Sequence, residues 1–119
     1  MKRTFLLAAM LACFAYAKVS AQTINGIKLS DLKEEYLEVS AFERTFSTKQ
    51  FIFLEYGQNV RDNFDAGIVR DDKGKPLPFN SLLDFVNQMK KYDYEVSEVF
   101  AVRDGDGRVK KFFILKRKQ

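Results

Sequence analysis

The sequence predicts an α+β domain in which an antiparallel sheet of about four strands carries one main helix packed on a face. Three observations support this fold class. Four segments are β-rich, with short alternating or apolar runs, and one segment has the apolar spacing of an amphipathic helix. The residues 104–107 join the last two β-rich segments as a hairpin turn would.

The chain begins with a segment typical of a secretory signal peptide. Two basic residues at 2–3 precede an uncharged apolar run at 5–17, which is too short to cross a hydrocarbon core of ~30 Å as a helix. Two small-x-small sites follow the run. We expect cleavage after Ala21 rather than after Ala17, because Lys18 would be an unfavourable new N-terminus. The sequence therefore predicts export, to the periplasm or to the extracellular space, as a mature chain of residues 22–119.

The same segment has an alternative interpretation as a lipoprotein signal. Met10-Leu11-Ala12-Cys13 resembles a lipobox, whose cysteine is acylated and becomes the first residue. The apolar run before Cys13 is short, however, and apolar residues follow at 14–16, where a polar tether is expected. We therefore expect a soluble protein, with envelope attachment through acylated Cys13 as the alternative.

The mature chain is long enough for a single α+β domain, and no transmembrane segment remains in it. Three of the 20 basic residues lie before Ala21, which leaves 17 basic and 16 acidic residues. Six of these 17 lie at 108–118, so the domain is acidic apart from a basic C-terminal strand. This distribution lacks the broad basic face of nucleic-acid-binding proteins, and we expect no nucleic-acid partner. The basic strand offers a second route of envelope attachment, by contact with anionic lipid or glycan through Lys110, Lys111, Lys116, Arg117 and Lys118.

The first two predicted strands lie at 36–43 and 50–56. The first alternates, and its apolar side chains on one face are those of Leu37, Val39 and Ala41. The second is an apolar run that ends before Gly57. A capped helical turn is expected just before the first strand, with Ser30 as its N-cap.

Residues 58–79 have a weaker pattern. A short strand at 68–69 is possible, and 71–74 has the composition of a turn. Pro76 and Pro78 keep the next segment extended and exclude it from the centre of a sheet.

The main helix is expected from Asn80 or Ser81, as N-cap, to about Tyr92. Ser81 and Asp84 have the spacing of a capping box. The helix has an apolar stripe formed by Leu82, Phe85, Val86 and Met89. Asp93, which follows, can adopt a left-handed C-cap, although glycine does so more easily.

The strongest local signal is a hairpin. The β-rich runs 94–103 and 109–116 flank Asp104-Gly105-Asp106-Gly107. A calcium-binding loop beginning at Asp104 would need an oxygen ligand at its fifth position and glutamate at its twelfth. Arg108 and Leu115 occupy those positions, so the segment is expected to be a turn without metal.

The composition excludes several classes of active site. Histidine is absent from the whole chain, and the one cysteine precedes the cleavage site. Ser-His-Asp and Cys-His sites, ordinary zinc sites and disulfides are therefore excluded from the mature domain. The carboxylates lie mostly in turns or beside lysines and suggest no cleft. We predict no catalytic, cofactor-binding or metal-binding residues, no cofactor, and a protein that is not an enzyme.

Two aromatic residues invite a nucleic-acid interpretation. Phe100 and Phe112, on neighbouring strands beside a basic end, are placed like the base-stacking residues of an RNA-binding sheet. No accompanying RNA-binding signature is present, and export would remove the substrate. We expect both side chains to pack in the core.

The order of several short motifs resembles that of small exported proteins of Gram-negative anaerobes whose activity is not characterised. The motifs are Phe53-Leu54-Glu55-Tyr56-Gly57-Gln58, Gly74-Lys75-Pro76, Phe79-Asn80-Ser81, Tyr94-Glu95-Val96 and Phe112-Phe113-Ile114-Leu115-Lys116-Arg117-Lys118. The resemblance covers most of the mature chain and departs at Asp93, where those proteins usually have glycine. It implies a signal peptide followed by a single α+β domain with a lysine-rich last strand. It implies no activity and no functional residues.

Three of the predicted strands are apolar on both faces, namely those at 50–56, 94–103 and 109–116. One helix can cover only one face of the sheet, and large bare apolar patches are rare on soluble monomers. The lead-in and 58–79, or a second copy of the sheet in a two-fold contact, should therefore cover the other face. We expect a non-enzymatic domain that binds an unidentified macromolecular partner or forms a homodimer.

Overall fold

The computed structural model describes residues 22–118. The predicted signal peptide, with Ala17, Ala21 and Cys13, lies outside the described residues. Within them, one α-helix and two antiparallel sheets confirm the α+β class.

Residues 22–118 form eight strands, which follow one another with mostly short connections. They are β1 (Thr23–Ile24), β2 (Ile27–Lys28), β3 (Tyr36–Glu43), β4 (Gln50–Glu55), β5 (Val69–Arg70), β6 (Pro78–Phe79), β7 (Tyr94–Arg103) and β8 (Val109–Arg117). The main sheet has the order β6-β4-β3-β8-β7, and the small sheet has the order β2-β1-β5. All pairs of strands are antiparallel.

The expectation of about four strands is correct for the long strands and too low for the fold. β3, β4, β7 and β8 lie close to their predicted bounds, but β6 adds a fifth strand to the main sheet. β6 contains Pro78 and lies at the edge, where a missing backbone donor is tolerated. Of the small sheet, only a short strand at 68–69 is predicted, and β5 overlaps it at Val69. β1 and β2 are not predicted, because two-residue strands are too short to have a periodicity.

The helix α1 spans Leu82–Gln88 and continues as a 3-10 turn at Met89–Tyr92. The Ser81 hydroxyl accepts a hydrogen bond from the Asp84 backbone N–H at 3.0 Å, which confirms Ser81 as the N-cap. Asp93 follows with φ 66° and provides the left-handed C-cap.

Two aspartates close turns with the same hydrogen-bond pattern. The Asp104 carboxylate accepts from the backbone N–H groups of Asp106 and Arg108, both at 3.0 Å. The Asp71 carboxylate accepts in the same way from Lys73 and Lys75, both at 2.9 Å. The predicted turns at 104–107 and 71–74 are thereby confirmed.

The expectation for Ser30 is wrong. The turn before β3 is a 3-10 turn at Leu29–Asp31, and Ser30 lies inside it without a capping role. The reason is the lead-in, whose Gln22 carbonyl accepts from the Leu29 backbone N–H at 2.9 Å and sets where the turn begins.

The core lies on one face of the main sheet. Leu37, Val39, Ile52 and Leu54 point to this face and pack with the α1 side chain of Phe85. Of the predicted helical stripe, Phe85, Val86 and Met89 are buried and Leu82 is half-buried. Ile24 and Val69 belong to the same core. The lead-in therefore packs on the side of the helix, contrary to our expectation that it covers the opposite face.

Within residues 22–118, the structure contains no helix with the length and hydropathy that a membrane crossing requires.

Candidate functional site

The face of the main sheet opposite α1 is only partly covered, and we call it the open face. Strand register assigns to it Tyr36, Glu38, Ser40 and Phe42 of β3, Phe51, Phe53 and Glu55 of β4, Glu98, Phe100 and Val102 of β7, and Lys110, Phe112, Ile114 and Lys116 of β8. These side chains combine a large apolar area with a few charges.

The aromatic residues of the open face form two separate clusters. On β3 and β4, Phe42 and Phe53 pack with Phe64, which comes from a 3-10 turn at Phe64–Gly67, and Phe51 packs with Phe42. On β7 and β8, the rings of Phe100 and Phe112 stack with their centroids 5.1 Å apart. We expect residues 58–79 to help cover this face of the sheet. Their Phe64 packs on the first cluster only.

The two clusters are separate because the sheet divides between β3 and β8. These strands are paired from Tyr36 to Val39, opposite Lys116 to Phe113, and no further. β3 nevertheless continues beside β4 to Glu43, and β8 begins beside β7 at Val109. We call this divergence the fork.

The fork encloses a cleft of about 480 Å³. Its walls are the end of β3, the start of β8, the hairpin turn and the beginning of α1. This volume lies within the usual range for binding sites, ~300–1,000 Å³.

Beside the cleft, four polar residues meet on the open face. Glu38 lies directly opposite Glu55 in the β3–β4 pair, and Lys110 of β8 approaches them. They line a cavity of about 150 Å³ together with Ser40, Phe53, Phe64 and Phe112. We call Glu38, Glu55, Ser40 and Lys110 the polar notch.

The electrostatics of the polar notch favour the protonated form of Glu38. Burial raises the pKa of Glu38 above its usual value of 4.5, and the charge of Glu55 and a hydrogen bond between the two carboxyl groups raise it further. Lys110 opposes this shift. Such a pair can hold a proton or accept hydrogen bonds, but a 150 Å³ cavity is small for a metabolite or sugar.

The hairpin of β7 and β8 projects beyond the part of the sheet that α1 covers. Every residue of β7 from Glu95 to Arg103 is exposed. The exposed apolar side chains of the hairpin are Val96, Val99, Phe100, Val102 and Val109. They lie on both faces of the hairpin, as its register requires.

No site residues were predicted, and the structure assembles two features that pattern reasoning missed. The polar notch depends on strand register, and its sequence signal is weak: Glu38 and Glu55 each interrupt an otherwise apolar or small set of side chains. The core prediction for Phe100 and Phe112 is wrong, because they stack on each other on the open face. Among the described residues, no three Asp, Glu, His or Cys side chains are grouped as a metal site.

Comparison of the chain with protein-family models, with curated proteins and with solved structures gives no match.

Proposed function

We propose that this chain is an exported, non-enzymatic domain that associates with a second copy of itself through the β7–β8 hairpin. The observation that carries the proposal is the exposure of β7. Val96, Val99 and Val102 are 43%, 51% and 48% exposed. Apolar strands with this exposure on both faces are typical of surfaces that become buried by a partner.

The position of β7 supports strand pairing as the mode of contact. β7 is the last strand of the main sheet, with β8 as its only strand neighbour among residues 22–118. Soluble proteins usually protect such an edge with proline, inward charges or a short strand. β7 has ten residues and no proline, and its bulge near Ser97 leaves the segment from Glu98 to Arg103 regular.

A two-fold antiparallel pairing of β7 with its equivalent fits the distribution of apolar and charged residues along this segment. Such a pairing places the Glu98 end of one copy next to the Arg103 end of its partner. It also continues the main sheet across the dimer and partly covers Val99 and Val102. The contact is therefore apolar in its middle, and its charged residues lie at its ends.

Sedimentation velocity of residues 22–119 at micromolar concentrations tests self-association. We expect a dimer for the natural sequence and a monomer for Val99→Lys, because a charged side chain would then lie in the apolar middle of the contact. Leu83→Lys is the matched control, since Leu83 is similarly exposed, at 56%, but lies on α1. The proposal is overturned if the natural sequence is a monomer throughout, or if both variants dissociate equally.

The intact mass of the protein purified from its own cells distinguishes the soluble exported form from the lipoprotein alternative. A mass beginning at Gln22 supports the soluble exported form. A diacyl or triacyl adduct on Cys13 supports envelope attachment instead. For attachment through the basic last strand, two of its charges are already engaged: Arg117 donates to the Leu32 carbonyl at 2.7 Å, and Lys118 lies 4.0 Å from Glu95.

A further inference from the structure

We propose that the cleft at the fork is a second binding site, which takes an acidic, extended segment of a partner polypeptide as an additional strand between β3 and β8. This site is distinct from the outer edge of β7, and the proposal does not depend on dimerisation. It extends the proposed function from self-association to the capture of another chain.

The backbone at the fork offers two facing strand edges. In residues 22–118, β3 has no partner on its β8 side after Val39, and β8 has none on its β3 side before Phe113. Both edges therefore carry backbone N–H and C=O groups without a strand neighbour. An extended peptide in the cleft could pair with both edges, whereas a peptide added to an ordinary sheet edge pairs with one.

The cleft has the composition of a peptide site rather than of a solvent gap. Its volume is about 480 Å³. On the α1 side, Ala41, Leu82 and Val109 provide apolar surface, and Val109 is 57% exposed. On the open face, Phe42 provides an aromatic wall. Alternate side chains of an extended segment would contact these two walls.

The charges of the cleft select an acidic segment. Arg108, Lys110 and Lys111 line it, and in the described part of the chain none of them has a carboxylate within ion-pair distance. The two acids of the cleft are already engaged. Glu43 accepts from the Gln50 side-chain amide at 3.0 Å, and Asp104 accepts the two backbone bonds of its turn.

Fluorescence anisotropy with a labelled peptide of alternating glutamate and valine tests this site. We expect saturable binding that weakens by about tenfold when Arg108→Glu and Lys111→Glu are combined, since each reversal replaces an attraction by a repulsion. Lys28→Glu combined with Lys33→Glu is the matched control. It makes the same change in net charge outside the cleft and should leave the affinity unchanged.

A second probe separates strand insertion from simple charge attraction. The same peptide with alternate backbone nitrogens methylated keeps its charges and side chains but loses hydrogen-bond donors. We expect its binding to be lost. Equal binding of the methylated peptide, or of a peptide with lysine in place of glutamate, would overturn the proposal.

Hydrogen exchange locates the peptide. Binding should slow exchange of backbone amides within 40–43 and 109–112 and leave those of β7 unchanged. Protection on β7 alone would place the peptide at the outer edge and refute the cleft. The measurement is repeated with Val99→Lys, which we expect to be a monomer. Protection at the cleft in this variant cannot arise from self-association.

Discussion

Glu38 is the residue whose environment most clearly opposes its charge. It faces Glu55 across two paired strands, and its pKa is raised above 4.5 by burial and by that neighbour. The folded protein therefore binds a proton more tightly at Glu38 than the unfolded chain does. The contribution of Glu38 to stability is greatest at low pH and is lost as the pH rises through 4.5 towards the raised folded-state pKa.

We expect Glu38→Gln to stabilise the protein at neutral pH. Removing one of two like charges on directly opposed residues should raise the free energy of unfolding by about 0.2–1 kcal/mol. It should also flatten the fall in stability just above pH 4.5. Urea unfolding at several pH values measures both effects.

Glu35→Gln is the control for this substitution, since it removes the same charge from an exposed position just before β3. Equal stabilisation by both variants would mean that net charge, and not the pairing with Glu55, is responsible. No change in Glu38→Gln would mean that Lys110 already compensates the pair.

Phe85 is the core residue with the largest expected effect. It is fully buried and contacts Phe79 edge-to-face, with ring centroids 5.1 Å apart. Phe85→Ala should lower the free energy of unfolding by about 3–5 kcal/mol. Leu83→Ala, on the exposed side of the same helix, should change it by less than about 0.5 kcal/mol. A loss below about 1 kcal/mol for Phe85→Ala would contradict the packing of α1 on the sheet.

At the scale of elements, Gly67 determines how the 58–79 segment reaches the open face. A β-carbon at Gly67 would overlap the Phe53 ring, whereas one at Gly105 would meet no atom within 4 Å. We expect Gly67→Ala to destabilise the protein by about 1–3 kcal/mol through overpacking. Thermal unfolding measures this, with Gly105→Ala as a near-neutral control. Equal melting temperatures for the two variants would show that Phe53 moves away without cost.

The long elements could be predicted because their signals are local. Alternation marks β3, the capping residue Ser81 marks the start of α1, and the aspartate-glycine turn marks the β7–β8 hairpin. The short strands β1 and β2 have no comparable signal, because pairing with one another and with β5 creates them. Ser30 shows the same limit. The hydrogen bond from the Leu29 backbone N–H to the Gln22 carbonyl sets where the turn begins, and this overrides the preference of Ser30 for an N-cap.

The candidate sites could not be predicted from local sequence patterns, because they depend on strand register and on where strand pairing ends. Glu38 and Glu55 meet only because the β3–β4 register places them opposite each other. The fork depends on where the pairing of β3 with β8 stops, and the apolar pattern of both strands continues past that point. The prediction that strands apolar on both faces need a cover on the face opposite the helix is nevertheless informative. It identified the surface without identifying its residues.

For the whole molecule, the proposed self-association would make stability depend on protein concentration. Mass action stabilises a folded dimer as its concentration rises. We therefore expect the melting temperature of residues 22–119 to increase by several degrees over a wide concentration range, and that of Val99→Lys to stay constant. A melting temperature independent of concentration for both proteins would contradict the dimer.

The pairing of β3 with β8 has a consequence for the order in which the molecule can fold. β3 lies near the start of the described chain and β8 at its end, yet they are neighbours at the centre of the main sheet. Contacts between such distant segments form late, because the intervening chain must first be ordered. A chain that emerges with its N-terminus first therefore cannot complete this sheet until β8 has also emerged. If the chain is exported as proposed, that delay keeps the polypeptide unfolded during its passage and confines folding to the compartment that it reaches.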